Sequence, residues 1–188
     1  MTNQLSPMRF YAMLMVGIGM VAIGFVLFLF LNKPTASSDE FSIVPAQVDF
    51  AAPKLTLTDL SGKSVSLNDH LGSVVLVNLW ATWCPPCKQE MPTLQTFYNK
   101  YVDRGFTIIA INDGDPAPDV LQFVKEYELT FPVWLDPTYN ATEHAFKTLN
   151  LPSSYVIDRN GIVRLMWVGG ISKKMLDQYV PSIITENQ

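Results

Sequence analysis

A chain of 188 residues has room for one domain and an appendage. Its 13 Lys and Arg against 17 Asp and Glu give a formal charge of −4, and the cations are scattered, so the basic stripe that nucleic-acid binding requires is missing. Two cysteines exclude a disulfide-rich scaffold, and with only two histidines beside them a zinc site would have to gather distant residues.

Residues 1–9 are short and polar, ending in Arg9. Residues 10–31 carry no charge, and 22 residues at about 1.5 Å each cover a hydrocarbon core of about 30 Å. Positive charge at Met1 and Arg9 precedes this run, and Asp39 and Glu40 follow it, which puts the N-terminus inside and the bulk of the chain outside. A cleaved leader would have a shorter apolar core, about 7–15 residues, and a better site than Pro34-Thr35-Ala36. The expected organisation is therefore a cytoplasmic N-terminus over 1–9, a retained transmembrane anchor over 10–31, a linker over 32–52 and a globular domain over 53–188. Pro34, Ser37, Ser38 and Pro45 mark the linker, although Phe41, Ile43, Val44 and Phe50 are apolar enough for part of it to pack on the domain.

Within the domain, Leu55, Leu57 and Leu60 alternate into Ser61-Gly62-Lys63, and Val65 and Leu67 alternate out, which predicts a β-hairpin. Residues 74–79 form an almost unbroken apolar run, the pattern of a strand buried on both faces. A helix follows over 88–101, with Met91, Leu94, Phe97 and Tyr101 at helical spacing. Further along, strands are expected at 106–111, 131–135, 154–157 and 162–168, and helices at 120–129, 138–149 and from a Ser172 cap to 184. Strands alternating with helices and closed by a hairpin predict an α/β fold: a mixed central sheet flanked by helices.

The only two cysteines stand three apart in Cys84-Pro85-Pro86-Cys87, between a strand and a helix. With Cys84 as N-cap, both prolines fall where backbone N–H groups have no intrahelical partner. The Cys87 N–H is then the natural donor to the Cys84 sulfur, and that bond and the helix dipole favour a thiolate at Cys84. Cys84 is thus the expected nucleophile and Cys87 the resolving thiol. Trp83 is expected to shield the thiols and offer clients an apolar surface. His70, His144, Asp113, Asp115 and Asp136 lack the spacing of a metal site, so no metal and no cofactor beyond the redox-active cysteine pair is expected.

The segment Trp80-Ala81-Thr82-Trp83-Cys84-Pro85-Pro86-Cys87, with Pro92 eight residues past Cys84, Pro152 before a strand and Gly169-Gly170 before the last helix, resembles the thioredoxin superfamily. More narrowly, it is similar to the membrane-anchored TlpA/ResA/CcmG-type thiol–disulfide oxidoreductases. That resemblance, over about residues 53–180, implies a thioredoxin-like fold with an N-terminal hairpin, a central insert within 113–135 and a cis bond before Pro152. A cis bond there exposes the backbone of Leu151 to pair with a client strand. Thioredoxins carry a buried aspartate six residues before the first cysteine. Here that position is Asn78, which cannot titrate, and the resemblance shifts thiol tuning or proton transfer to Glu90.

The resemblance also implies the partners. These are protein substrates with disulfides, apocytochrome c or other envelope proteins among them, and a membrane-embedded thiol carrier that supplies electrons for net reduction outside the cytoplasmic membrane, in the periplasm or on the outer face. Two rival functions are a disulfide-donating oxidase and a membrane-tethered, client-binding adaptor for which the cysteines are incidental.

Overall fold

The structure, a computed structural model, describes residues 7–31 and 44–185. Of the expected cytoplasmic N-terminus over 1–9, residues 1–6 lie outside the described residues, as do most of the expected linker, 32–43, and the last three residues, 186–188. The chain divides into two compact units, residues 1–37 and 38–188. The first holds helix α1, Pro7–Leu31, whose 25 residues come to about 37 Å at 1.5 Å per residue. Its side chains are described only over 15–28, where apolar groups such as Met15, Phe25 and Phe28 stand exposed. That stretch is short, and among the described residues no helix is long and apolar enough to cross a membrane.

Among the described residues the second unit is built on a mixed sheet of eight strands. In chain order these are β1 (Ala46–Ala51), β2 (Thr56–Asp59), β3 (Ser64–Ser66), β4 (Val74–Trp80), β5 (Phe106–Asp113), β6 (Val133–Asp136), β7 (Ser153–Ile157) and β8 (Ile162–Val168), and in space they run β1-β8-β7-β4-β5-β6-β2-β3. Strands β4, β5 and β6 are parallel, and every other pairing is antiparallel. The helices of this unit are α2 (Pro85–Tyr101), α3 (Ala117–Glu126) and α4 (Lys173–Thr185).

All seven residues of β4 are buried, because its two faces feed two separate apolar layers. Val74, Leu76 and Trp80 pack with Met91, Leu94 and Phe97 of α2, Val120 and Phe123 of α3, and Leu176 and Val180 of α4. Val75, Val77 and Leu79 pack on the other side with Leu55, Leu67, Trp134 and Tyr155. The expected hairpin is β2–β3, closed by Gly62 at φ 83° and by Asp59 Oδ1, which accepts from the N–H groups of Ser61 and Lys63. It extends the sheet beyond β6, and the segment 113–135 supplies α3 and part of β6.

Two expectations change. The sheet begins at Ala46, inside the span 32–52 read as linker, because β1 pairs with β8 and Asp49 meets Arg164 at 2.6 Å. The helix expected over 138–149 is only a π turn, Asn140–Ala145. Asp136 takes the N–H groups of Asn140 and Ala141 at 2.9 and 2.6 Å, and Tyr139 and Lys147 on either side adopt positive φ, 57° and 52°. Side-chain capture of the backbone at one end and left-handed residues at both leave no room for a longer helix. The apolar residues that suggested it pack onto the sheet instead, Phe146 stacking on Tyr155 at 4.3 Å.

Arg159, in the β7–β8 turn, ties three segments together. Its guanidinium donates to the carbonyls of Gly72, Arg104 and Ile184 at 2.8, 3.3 and 3.2 Å, the last at the C-terminal end of α4. Gly105 lies so close that a Cβ there would stand 2.7 Å from Nη1. Arg159→Ala is expected to lower unfolding stability by about 2 kcal/mol, read as a fall in urea midpoint at unchanged slope.

Candidate active site

Strand β4 ends at Trp80, and the chain turns through Ala81–Cys84, the Cys84 N–H donating to the Ala81 carbonyl at 3.2 Å. Cys84 is the N-cap of α2, with φ −85° and ψ 110°. Pro85 and Pro86 have no N–H to offer, so the Cys87 N–H, 3.3 Å from the Cys84 sulfur, is the donor that reaches it. Cys84 and Cys87 are joined as a disulfide, with 5.3 Å between their Cα atoms. Cys84 keeps 3% of its surface exposed and Cys87 none. Trp83, immediately before the pair, is 68% exposed.

One helical turn beyond Cys87, Glu90 faces the sheet and is only 3% exposed. Asn78 of β4 donates through Nδ2 to Glu90 Oε1 at 2.7 Å and to the Ser154 hydroxyl at 2.9 Å. Asn78 and Ser154 are directly paired in the β4–β7 ladder, which is what brings the two side chains together. The other carboxylate oxygen, Oε2, accepts the Ile171 N–H at 2.8 Å from the turn between β8 and α4. Burial raises the Glu90 pKa from an ordinary 4.5 to about 8, and the hydrogen bonds from Ile171 and Asn78 offset it only in part. Asn78 Oδ1 is buried and has no hydrogen-bond partner among the described residues. Glu90 lies one helical turn from Cys87, and its pKa near 8 is close to the ordinary thiol value of about 8.5, a match that would let a proton pass between the two at little cost once the disulfide is reduced.

The Leu151–Pro152 bond is cis. Leu151 lies outside every strand pair, just ahead of β7, and the Pro152 carbonyl accepts the Gly169 N–H at 2.8 Å. Three groups at the site carry no signal in the sequence. Ser154 becomes visible only from strand register, and Ile171 contributes a backbone N–H, which no side-chain pattern reveals. Asp115, by spacing a solvated loop residue, accepts the Thr82 N–H at 2.6 Å and Asn112 Nδ2 at 2.8 Å. Asp136 is buried, and each of its carboxylate oxygens accepts one backbone N–H. Among the described residues no group of three or more His, Cys, Asp or Glu side chains could hold a metal ion.

Residues 48–166 match the family model of the AhpC/TSA family. A thiol-disulfide oxidoreductase ResA of Geobacillus kaustophilus is 33% identical over 165 residues, 87% of this chain and 89% of that protein. Another ResA, from Bacillus thuringiensis subsp. konkukian, is 38% identical over 132 residues, 70% of this chain and 76% of its own. The crystal structure of a putative thiol:disulfide interchange protein DsbE from Chlorobium tepidum superposes with a TM-score of 0.68 at 33% identity, covering 74% of this chain and 98% of that one.

Proposed function

The chain belongs to the AhpC/TSA family with a thioredoxin-like fold and is a thiol–disulfide oxidoreductase, and we propose that it reduces protein disulfides from an anchored position outside the cytoplasmic membrane, through Cys84 and Cys87. The observation that carries this is the disulfide at the tip of α2, with the Cys87 N–H on the Cys84 sulfur and Glu90 buried one turn below. In the reduced protein the Cys84 thiolate attacks a client disulfide, forming a mixed disulfide and releasing one client thiolate. Cys87, giving up its proton, then attacks the Cys84 sulfur, which releases the second client thiolate and restores the Cys84–Cys87 disulfide. Two electrons pass to the client, and the pair itself is the only redox group the scheme requires. Cys84 is the attacking sulfur because it alone keeps exposed surface and sits at the helix cap.

Glu90 is proposed to receive the Cys87 proton, Asn78 to hold Glu90 in place, Trp83 to meet the client's apolar surface and the Leu151 backbone beside Pro152 to pair with its extended segment. Reduction in an oxidising compartment needs a supply of electrons, and a membrane-embedded thiol carrier meets that need. The support for anchoring is the uncharged sequence 10–31 within a 25-residue helix. Apocytochrome c and other disulfide-bearing envelope proteins are the proposed clients.

Equilibration with glutathione buffers fixes the direction. A potential towards the reducing end of the range for such sites, about −270 to −120 mV, is expected, with catalysis of insulin reduction. A potential at the oxidising end, with thiols of a reduced test protein being oxidised instead, would make the chain a disulfide donor.

A further inference from the structure

The turn that carries Trp83 and Cys84 is held from outside by one side chain that the exchange scheme does not use. Thr82 sits inside the Ala81–Cys84 turn, and its N–H is taken by Asp115 Oδ2 at 2.6 Å. A carboxylate on a backbone N–H at that separation is a charge-assisted hydrogen bond, among the stronger kinds available to a loop.

Asp115 is itself fixed. The same oxygen accepts Asn112 Nδ2 at 2.8 Å, and the Asp115 N–H donates back to Asn112 Oδ1 at 3.1 Å. Asn112 is fully buried at the end of β5, in register with Trp80 at the end of β4. The loop between them is pinned too. The Gly114 N–H donates to the Asp136 carbonyl at 3.1 Å, and the Tyr139 ring covers Gly114 so closely that a Cβ there would lie 2.5 Å from the hydroxyl oxygen. A rigid strand end therefore reaches across, through one carboxylate, to the turn preceding the nucleophile.

We propose that Asp115 is a positioning residue for disulfide exchange: it locks the Ala81–Cys84 turn, so that Trp83 and the Cys84 sulfur meet a protein client in one fixed arrangement. The role rests on Cys84 and Cys87 being the pair that exchanges with protein disulfides. A macromolecular client must satisfy the tryptophan and the sulfur together, whereas a small disulfide needs the sulfur alone. Release of the turn therefore penalises the first and spares the second.

The test uses the full chain with Asp115→Ala and Asp115→Asn, and two substrates, insulin and 5,5′-dithiobis(2-nitrobenzoate). Asp115→Ala is expected to lower kcat/KM for insulin roughly tenfold, mainly through KM, the equivalent of one such hydrogen bond. Its rate with the small disulfide is expected to stay within about twofold of the parent. Asp115→Asn keeps an oxygen for the Thr82 N–H and recovers most of the loss. Wild-type insulin kinetics in Asp115→Ala, an equal loss on both substrates, or no recovery in Asp115→Asn would each overturn the role. If Asp115→Ala fails to fold, amide exchange of the Thr82 N–H in the unaltered protein decides: protection supports the lock and free exchange overturns it. Failure of the underlying reading looks different, since the parent chain would then leave insulin oxidised, or Cys84→Ala would reduce it as well as the parent does.

Discussion

A Cys87→Ala protein, reduced and then mixed with envelope extract, is expected to accumulate covalent adducts that dissolve in dithiothreitol, and Cys84→Ala is expected to form none. The asymmetry follows from where the two sulfurs lie. Cys84 caps α2, accepts the Cys87 N–H and retains its sliver of exposed surface, while Cys87 is fully enclosed one turn in. Attack by Cys84 leaves a mixed disulfide whose fastest exit is the neighbouring thiol three residues along. Removing that thiol leaves the adduct to be cleared by outside thiols at bimolecular rates, losing the advantage of a tethered nucleophile. Mass spectrometry of the adducts names the disulfide-bearing clients, and the electron donor when the carrier is first oxidised to its disulfide form. Equal trapping by both variants would sink the assigned order of attack, and an adduct set without a membrane protein, from extract whose thiols were first oxidised to disulfides, would remove the proposed carrier.

The second large effect belongs to Glu90. Its pKa is about 8 in the folded protein against 4.5 ordinarily, so folding stability depends on pH through this one group. Below pH 4.5 the carboxyl is protonated in both states and costs nothing. Between 4.5 and 8 the unfolded chain ionises while the folded one keeps its proton, so stability falls as pH rises, at about 1.4 kcal/mol per pH unit. Above pH 8 both states are ionised and the loss is complete, on the order of 4–5 kcal/mol. Glu90→Gln removes this dependence. Its stability relative to the parent is therefore expected to improve steadily from pH 5 to pH 8.5 in urea titrations. The amide can keep both contacts, because Asn78 Oδ1, which has no partner among the described residues, turns to accept from it. The parent's exchange rate is expected to show a step near pH 8 that the variant lacks. Unchanged thiol titration and exchange rate in Glu90→Gln would leave Glu90 a purely structural acid.

Much of this was legible in the sequence because the strongest signals are local. The buried run 74–79, the N-cap cysteine with its two prolines, and the helical spacing of Met91, Leu94 and Phe97 each depend on neighbours within a turn or two. Glu90 could be singled out from its place one turn past Cys87 and from the resemblance, but not its burial, which depends on Asn78, Ser154 and Ile171 arriving from three other elements. The failed helix at 138–149 shows the same limit. Its apolar spacing was genuine, yet Asp136, outside the window, captured the backbone and left a π turn. Residues 46–51 read as tether because Asp49 and Phe50 have their rationale in β8, more than a hundred positions away.

The two outer strands have a consequence for assembly. A sheet that ends in unpaired backbone runs the risk of pairing with the sheets of its own copies. At one margin β1 breaks register between Gln47 and Phe50 and carries the exposed charge of Asp49, while the other margin is only the three residues of β3. Neither gives a second sheet a long, flat, uncharged ladder to extend, so edge-to-edge fibre growth is disfavoured at both margins. The position proposed for client pairing, Leu151, lies at neither margin: it stands just ahead of β7, which pairs with β4 on one side and β8 on the other.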